Sequence, residues 1–371
     1  MKEYAIVIAT TLILAWMIPH TYLVSVYSFE TRTKDRLCYF LIFAILTCFI
    51  GLRTDYNDTA AYIGGYQEAD AFPKALESFS VSLAYHPGFV LVKAWLKTLD
   101  VSVHGFLLLF AGFSVACALL FFKRYSSSFT LSLFLYFATN YYTFTAAAVK
   151  QTTATAIALI AVFFALKRKW FPFVVLICIA STFHTYVILY ALVPFLTFKP
   201  WTKPTYVMLI SFIIIGFMLE SLFGTIIDIT SMLGDTYIEA KLIGEGINIF
   251  RVIVANAPTI LSFLYRKELF RDSNKTENVI VNLSMLNGAI MFVGQFGKAI
   301  YFSRLASYFT IMQCVALPWI IYKLPIDRRK LYYPAMVIGY FGFFAYANIL
   351  GHFFENNFSR ITLIQYLSKV F

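Results

Sequence analysis

Polar and charged side chains collect at the ends of long apolar runs in this chain, and their types point to one chemistry. Arg53, Asp55 and Asp58 follow the second run, Lys150 and Gln151 begin the fifth, and His184 follows the sixth. Arg304 opens the eleventh, with Tyr308 one turn on, and Lys298 and Arg251 stand at similar depth. Ionisable residues at membrane depth are expensive and mark functional positions by default. Several cations with few compensating carboxylates suit an anionic ligand, and phosphate or pyrophosphate is the obvious class.

Each residue also has a structural reading. Arg53 and Lys150 at span boundaries can snorkel to headgroups, and Asp58 can cap the helix that follows it. His184 in an apolar turn can be a satisfied hydrogen-bonding residue. Arg304 is the hardest to dismiss, because it begins an otherwise apolar helix. The joint arrangement carries more than any single member.

The elements that hold these residues must live in lipid. Of 371 residues, 60% are hydrophobic and 13% charged, against about 25% charged in a soluble domain. The mean hydropathy of +0.74 is spread along nearly the whole length, which excludes a single anchor carrying a soluble catalytic domain. Continuous, non-alternating runs exclude a β-barrel. At roughly 20 apolar residues per crossing, spans fall near 4–27, 37–52, 101–122, 129–145, 147–166, 170–183, 185–198, 204–223, 248–264, 279–297, 302–322 and 331–351. The expected fold class is an all-α polytopic membrane protein of about twelve transmembrane helices, treated as one membrane-embedded domain over 1–371.

The net charge of +11 is mostly an address. Connections 28–36, 123–128, 167–169, 199–203, 265–277 and 323–330 hold 18 of the 30 Lys and Arg but 6 of the 19 Asp and Glu. They alternate with the other connections, so the positive-inside rule makes them cytoplasmic. Inside carries +12 and the remainder −1, so no nucleic-acid partner is needed. Both termini are then expected outside, with the first span an uncleaved signal anchor whose basic flank (Arg32, Lys34, Arg36) follows the apolar run. The five cysteines fall inside spans, without a CxxC pair or a histidine at ligand spacing. They read as buried small apolar side chains, not as disulfides or a zinc site.

Outside, residues 53–100 form the longest non-membrane stretch. Near 86–99, Phe89, Val90, Val92, Trp95, Leu96 and Leu99 alternate against Lys93 and Lys97, an amphipathic helix for the membrane interface or a short re-entrant one. A second outer loop, 224–247, is acidic, with Asp228, Asp235, Glu239 and Glu245. The spans at 170–183 and 185–198 are each only about fourteen residues. Helices that short stop inside the membrane's depth, where irregular backbone is tolerated around a water-filled cavity. An outward-facing cavity is expected.

In chain order, GLRTDYNDTAAY (51–62), HPGF (86–89), VKQTTATAIAL (149–159), STFHTYVILYALVPF (181–195) and FSRLASYF (302–309) resemble the motif series of the EpsG family. These are membrane polymerases of exopolysaccharide, capsule and O-antigen repeat units, functionally equivalent to Wzy polymerases. The resemblance covers about residues 1–325. Carried across, Arg53, Asp58 and Tyr62 match the family's Arg, Asp and Tyr after the second helix. Gln151 matches the Gln of its Arg-Gln pair, His184 its turn histidine, and Arg304 and Tyr308 its late Arg and Tyr. Position 150 is Lys where the family usually has Arg, so the charge survives without the bidentate fork. Position 86 is His where Glu commonly precedes Pro-Gly.

The resemblance implies a glycosyltransferase-C-like membrane architecture and glycosyl transfer on the outer face of the cytoplasmic (inner) membrane. The growing glycan on undecaprenyl pyrophosphate is the implied donor, and an incoming lipid-linked repeat unit the acceptor. Arg304, Arg53 and Lys150 suit stabilisation of the departing pyrophosphate, and His184 or Asp58 suits the general base. Gln151 joins the substrate-binding set, and Tyr62 and Tyr308 suit stacking on, or hydrogen bonds to, sugars. A metal-independent reaction without a cofactor is expected, and a chain-length regulator is a candidate partner beside membrane lipid. A lipid-linked oligosaccharide flippase, another transporter, a lipid-to-core ligase and an acyltransferase remain as competing readings. The absence of an internal repeat and the polar residues' place near one face favour an enzyme over a transporter.

Overall fold

The computed structural model describes residues 2–18, 33–232, 246–350 and 358–370, and in these the chain is almost wholly helical. The first half holds α1 (Lys2–Trp16), α2 (Thr33–Gly51), strand β1 (Arg53–Asp55), α3 (Thr59–Gln67), α4 (Pro87–Thr98), α5 (Val103–Tyr125), α6 (Phe129–Ala138), α7 (Tyr141–Ala147), α8 (Val149–Leu166) and α9 (Trp170–Phe183). A 3-10 segment (Thr185–Leu196) follows. The second half holds α10 (Lys203–Met232), α11 (Ile249–Leu264), α12 (Arg266–Leu269), α13 (Lys275–Gly294), α14 (Ala299–Lys323), α15 (Ile326–Ala345), strand β2 (Ser359–Arg360) and α16 (Leu363–Val370). Among the described residues, α5, α8, α13 and α14 are long and apolar enough to cross a membrane.

Most other expected spans overlap shorter helices, so the expected count of twelve crossings is not established; 185–198 is mostly the 3-10 segment, and 129–145 is two helices, α6 and α7. Asn140 interrupts them at φ 59°, a left-handed conformation that asparagine tolerates better than most residues. Its side-chain oxygen accepts a hydrogen bond from Asn348 Nδ2 at 2.7 Å. Residues 19–27 of the first expected span and 233–245 of the second outer loop lie outside the described residues. The cysteine expectation holds at Cys38, Cys117 and Cys314, which are buried, while Cys48 is half-buried and Cys178 exposed on α9.

Two compact units make up the chain: Met1–Ala191 with Phe344–Phe371, and Leu192–Phe343. In the first unit α2 packs on α1 and α5, α5 on α8, and α8 on α9. Its basic connections gather at one end, where Lys123 Nζ lies 4.3 Å over the Tyr39 ring and Arg124 and Lys167 both cover Phe163, at 4.6 and 4.3 Å. At the far end of α2, β1 pairs antiparallel with β2, Arg53 opposite Arg360. Ile361 N–H donates to Leu52 O at 3.0 Å, and Arg360 bridges to Glu3 at 3.0 Å. The start of α1, the 53–55 strand and the 359–360 strand therefore share the end opposite the basic one.

The second unit repeats that sorting. Lys199 Nζ donates to Arg271 O at 3.1 Å, Arg328 pairs with Glu268 at 2.7 Å, and Lys323 approaches Glu277 at 3.7 Å. Connections 199–203, 265–277 and 323–330 thus meet at one end. Within its helices several neutral amides donate to defined partners. Pro258 lacks the N–H that would bond Val254 O, and Gln313 Nε2 at 2.7 Å and Tyr340 OH at 2.9 Å take that carbonyl instead. Asn282 Nδ2 likewise donates to Leu196 O and Phe198 O, at 2.9 and 3.0 Å.

Candidate functional site

The site begins where α2 ends. Arg53 is 1% exposed, so it does not snorkel. Its Nη1 donates to Ile50 O at 2.6 Å, one of the last-turn carbonyls that a helix end leaves without an intrahelical partner. Its Nε donates to Thr59 Oγ1 at 2.9 Å, at the first residue of α3. The guanidinium therefore ties the end of α2 to the start of α3, while Nη2 is buried without a hydrogen-bond partner. Burial pushes its pKa down to about 10, with Tyr62 foremost among the groups opposing the shift. Arg53 stays charged at neutral pH.

Asp58 stands at the N-cap of α3, but its side chain accepts no capping hydrogen bond, and the carboxylate is exposed. One turn on, the half-buried Tyr62 meets the Phe89 ring edge-on, centroids 6.1 Å apart. Phe89 belongs to the HPGF motif, whose local structure is set by two residues. His86 adopts a left-handed φ of 53°, and Pro87 then occupies the first helical position of α4, where a missing N–H costs nothing. Gly88 lets α4 sit against the end of α9. A Cβ there would stand 2.1 Å from Thr182 Oγ1.

That close approach brings two histidines together. His184 lies in extended backbone directly after α9, and its ring stacks on His86 with centroids 5.6 Å apart and planes 23° off parallel. Burial, then the Lys150 charge, holds the His86 imidazole below its ordinary pKa, against a raising backbone hydrogen bond at Phe183. Lys150 is half-buried in the first turn of α8, its Nζ 5.9 Å from the Phe89 centroid. The helix dipole disfavours a cation at that position. Gln151, next in the chain, is 3% exposed and heads a buried polar stretch with Thr152, Thr153 and Thr155.

The structure thus gathers Tyr62 and Lys150 around Phe89 and His184 against His86 of the same motif, with Arg53 joined through α3. Two further members were not among the sequence candidates. His86 was marked only as a departure from the family pattern. Lys93, on the polar side of the expected amphipathic helix, donates its Nζ to Gly65 O on α3 at 2.9 Å and lies 5.6 Å over the Phe89 ring. Trp95 on α4 and Leu99 just beyond its end are instead exposed. The HPGF motif was the usable signal, since a residue four after Phe89 lies on the same helix face.

Arg304 and Tyr308 belong to the second unit. Arg304 is exposed in the second turn of α14, where its carbonyl accepts from Ser307 Oγ at 2.7 Å. Tyr308 is fully buried, so its ring presents no face for stacking in this conformation. Lys298 caps the start of α14 half-buried, and Arg251 is exposed at the start of α11. Among the described residues no group of three or more His, Cys, Asp and Glu is arranged to hold a metal ion.

The EpsG family model matches residues 36–366, so it encloses the motif series of 51–309 on both sides. No curated protein and no solved structure matches the chain.

Proposed function

This chain belongs to the EpsG family, the Wzy-like polymerases, and from that premise we propose that it polymerises undecaprenyl-pyrophosphate-linked oligosaccharide repeat units on the outer face of the cytoplasmic membrane. The observation that carries this reading is the meeting of Tyr62, Lys150 and His184, from three separate elements, around Phe89 and His86. A cation and an imidazole side by side supply what glycosyl transfer from a diphosphate requires. The bond between the sugar's anomeric carbon and the phosphate oxygen breaks, and the electron pair leaves with undecaprenyl pyrophosphate. An acceptor hydroxyl forms the new bond and gives up its proton.

Lys150 stabilises the departing diphosphate, and Arg304 is assigned the same task by the family pattern. Arg53 acts through its field and through the α2–α3 junction it holds. His184 takes the acceptor proton; Asp58, exposed on α3, is the other candidate base. Gln151 positions substrate, and Tyr62 contacts sugar from the rim of the cluster, whereas the buried Tyr308 is left as a packing residue of α14. The end of the first unit that carries 53–100 and both chain ends is read as extracytoplasmic. A chain-length regulator is the proposed protein partner.

Deleting the gene is expected to leave single repeat units on the carrier or core where the parent strain gives a ladder of lengths. Complete loss of surface glycan would instead favour a flippase or ligase. For topology, a cysteine at exposed position 77 should react with a membrane-impermeant thiol reagent on intact cells, and one at 267 should not. Reaction at 267 alone would invert the assignment.

A further inference from the structure

We propose that Lys93 and Lys150 form a two-ammonium seat for a diphosphate group, with His86 as its third side. The proposal rests on the polymerase reading for the source of that group, a lipid-linked diphosphate, and on geometry for the seat. Lys93 comes from α4 and Lys150 from α8, yet both Nζ atoms lie over one ring, 5.6 and 5.9 Å from the Phe89 centroid. Lys93 is fixed there by its bond to Gly65 O at 2.9 Å. His86 closes the third side, stacked on His184 behind it.

Two half-buried ammonium groups directed to one ring repel each other, more strongly as the local dielectric falls. Lys150 adds to this by occupying the first turn of α8, where the backbone N–H groups already point positive. Burial, then the Lys150 charge, holds Lys93 below the usual ammonium range, and the carboxylate acting against that shift is Glu68, exposed at the end of α3. His86 feels the same Lys150 charge. The bond of Lys93 to Gly65 O and the contacts of both ammonium groups with the Phe89 ring hold the groups in place, and their mutual repulsion opposes those gains. A dianion gains from each of them, and a lysine acts on phosphate as a point charge without needing a planar fork. The seat therefore explains why Lys150 serves where the family usually has Arg, since a second ammonium stands opposite it.

The test uses the full chain in lipid nanodiscs, titrated with inorganic diphosphate and, separately, with undecaprenyl diphosphate. Lys93→Met and Lys150→Met should each weaken binding at least tenfold, Lys93→Arg should stay within a few fold of the parent, and Glu68→Gln should tighten binding severalfold. Losses with both probes assign the seat to the diphosphate group itself, and losses with the lipid alone assign it to a membrane-held headgroup. Either supports the seat. Parent-like binding by Lys93→Met overturns it, and where that variant does not fold, unchanged affinity in Glu68→Gln overturns it. Ladder formation by the parent, scored in parallel, separates the two claims. A parent that binds diphosphate through Lys93 but makes no ladder refutes the polymerase reading and keeps the seat. A ladder-forming parent whose Lys93→Met variant binds unchanged refutes the seat alone.

Discussion

The two units solve the problem of polar groups among apolar helices in opposite ways. In the second unit the network is neutral and closed: Asn287 Nδ2 donates to Gln313 Oε1 at 2.6 Å, and Gln313 Nε2 reaches both Val254 O and Tyr340 OH at 2.7 Å. In the first unit cations and imidazoles crowd around Phe89 and His86; buried side-chain atoms without a hydrogen-bond partner occur in both units, Arg53 Nη2 and His86 Nδ1 in the first and Asn282 Oδ1 and Gln295 Oε1 in the second. Buried polar groups are normally hydrogen-bonded. The difference is therefore one of charge: neutral amides join the helices of the second unit, and the cationic cluster of the first is where the proposed diphosphate seat lies.

Substitutions break or sharpen this contrast. Lys150→Ala should cost the most activity, about a hundred- to a thousandfold in chain extension, as removal of one preorganised electrostatic group does elsewhere, with the protein still inserted. His184→Ala should follow closely, at about a hundredfold or more, whereas Asp58→Asn measured beside it decides which residue is the base. Gln313→Leu should do the reverse. It leaves Val254 O one donor short and should destabilise by about 1–3 kcal/mol, lowering the thermal midpoint in detergent while extension per folded molecule stays near the parent's. Arg53→Lys keeps the charge but loses the two-armed tie between Ile50 O and Thr59, so a partial loss of about tenfold, comparable to about 1.4 kcal/mol, is expected in both activity and folded yield.

The smallest effect is on pH. His86 titrates below its ordinary value in the folded chain because of burial and Lys150. The folded state therefore binds fewer protons than the unfolded one, so His86 favours folding above the ordinary histidine pKa of about 6.5, and that contribution is lost as pH falls toward the lowered value. His86→Gln should flatten the acid limb of a thermal-stability profile by less than the other variants change theirs.

Much of this was legible in the chain because it is local. The sorting of basic connections needs only a count of charges along the sequence, and within each unit the connections gather at one end, at Lys123 on Tyr39 and at Lys199 on Arg271. Helix ends were visible where caps are strong, as at Asn274 and Glu277, which form a reciprocal capping box. The break at Asn140 is hidden because the polar residues Thr139 and Asn140 are few within a long run, and its support comes from Asn348, far along the chain. The inward place of Lys93 is hidden for a related reason. Amphipathic spacing gives the angle between side chains but not which face meets protein, and here α3 supplies a carbonyl that turns the lysine inward. Arg53 and Tyr62 were recognisable as types, but that one is a buried tie and the other a rim residue follows from packing alone.

The most direct test is the glycan ladder in a deletion strain complemented with the parent, Lys150→Ala and Gln313→Leu, each at matched membrane abundance. The account predicts a full ladder from the parent, single repeat units from Lys150→Ala, and a ladder from Gln313→Leu. An unaltered ladder from Lys150→Ala would contradict it.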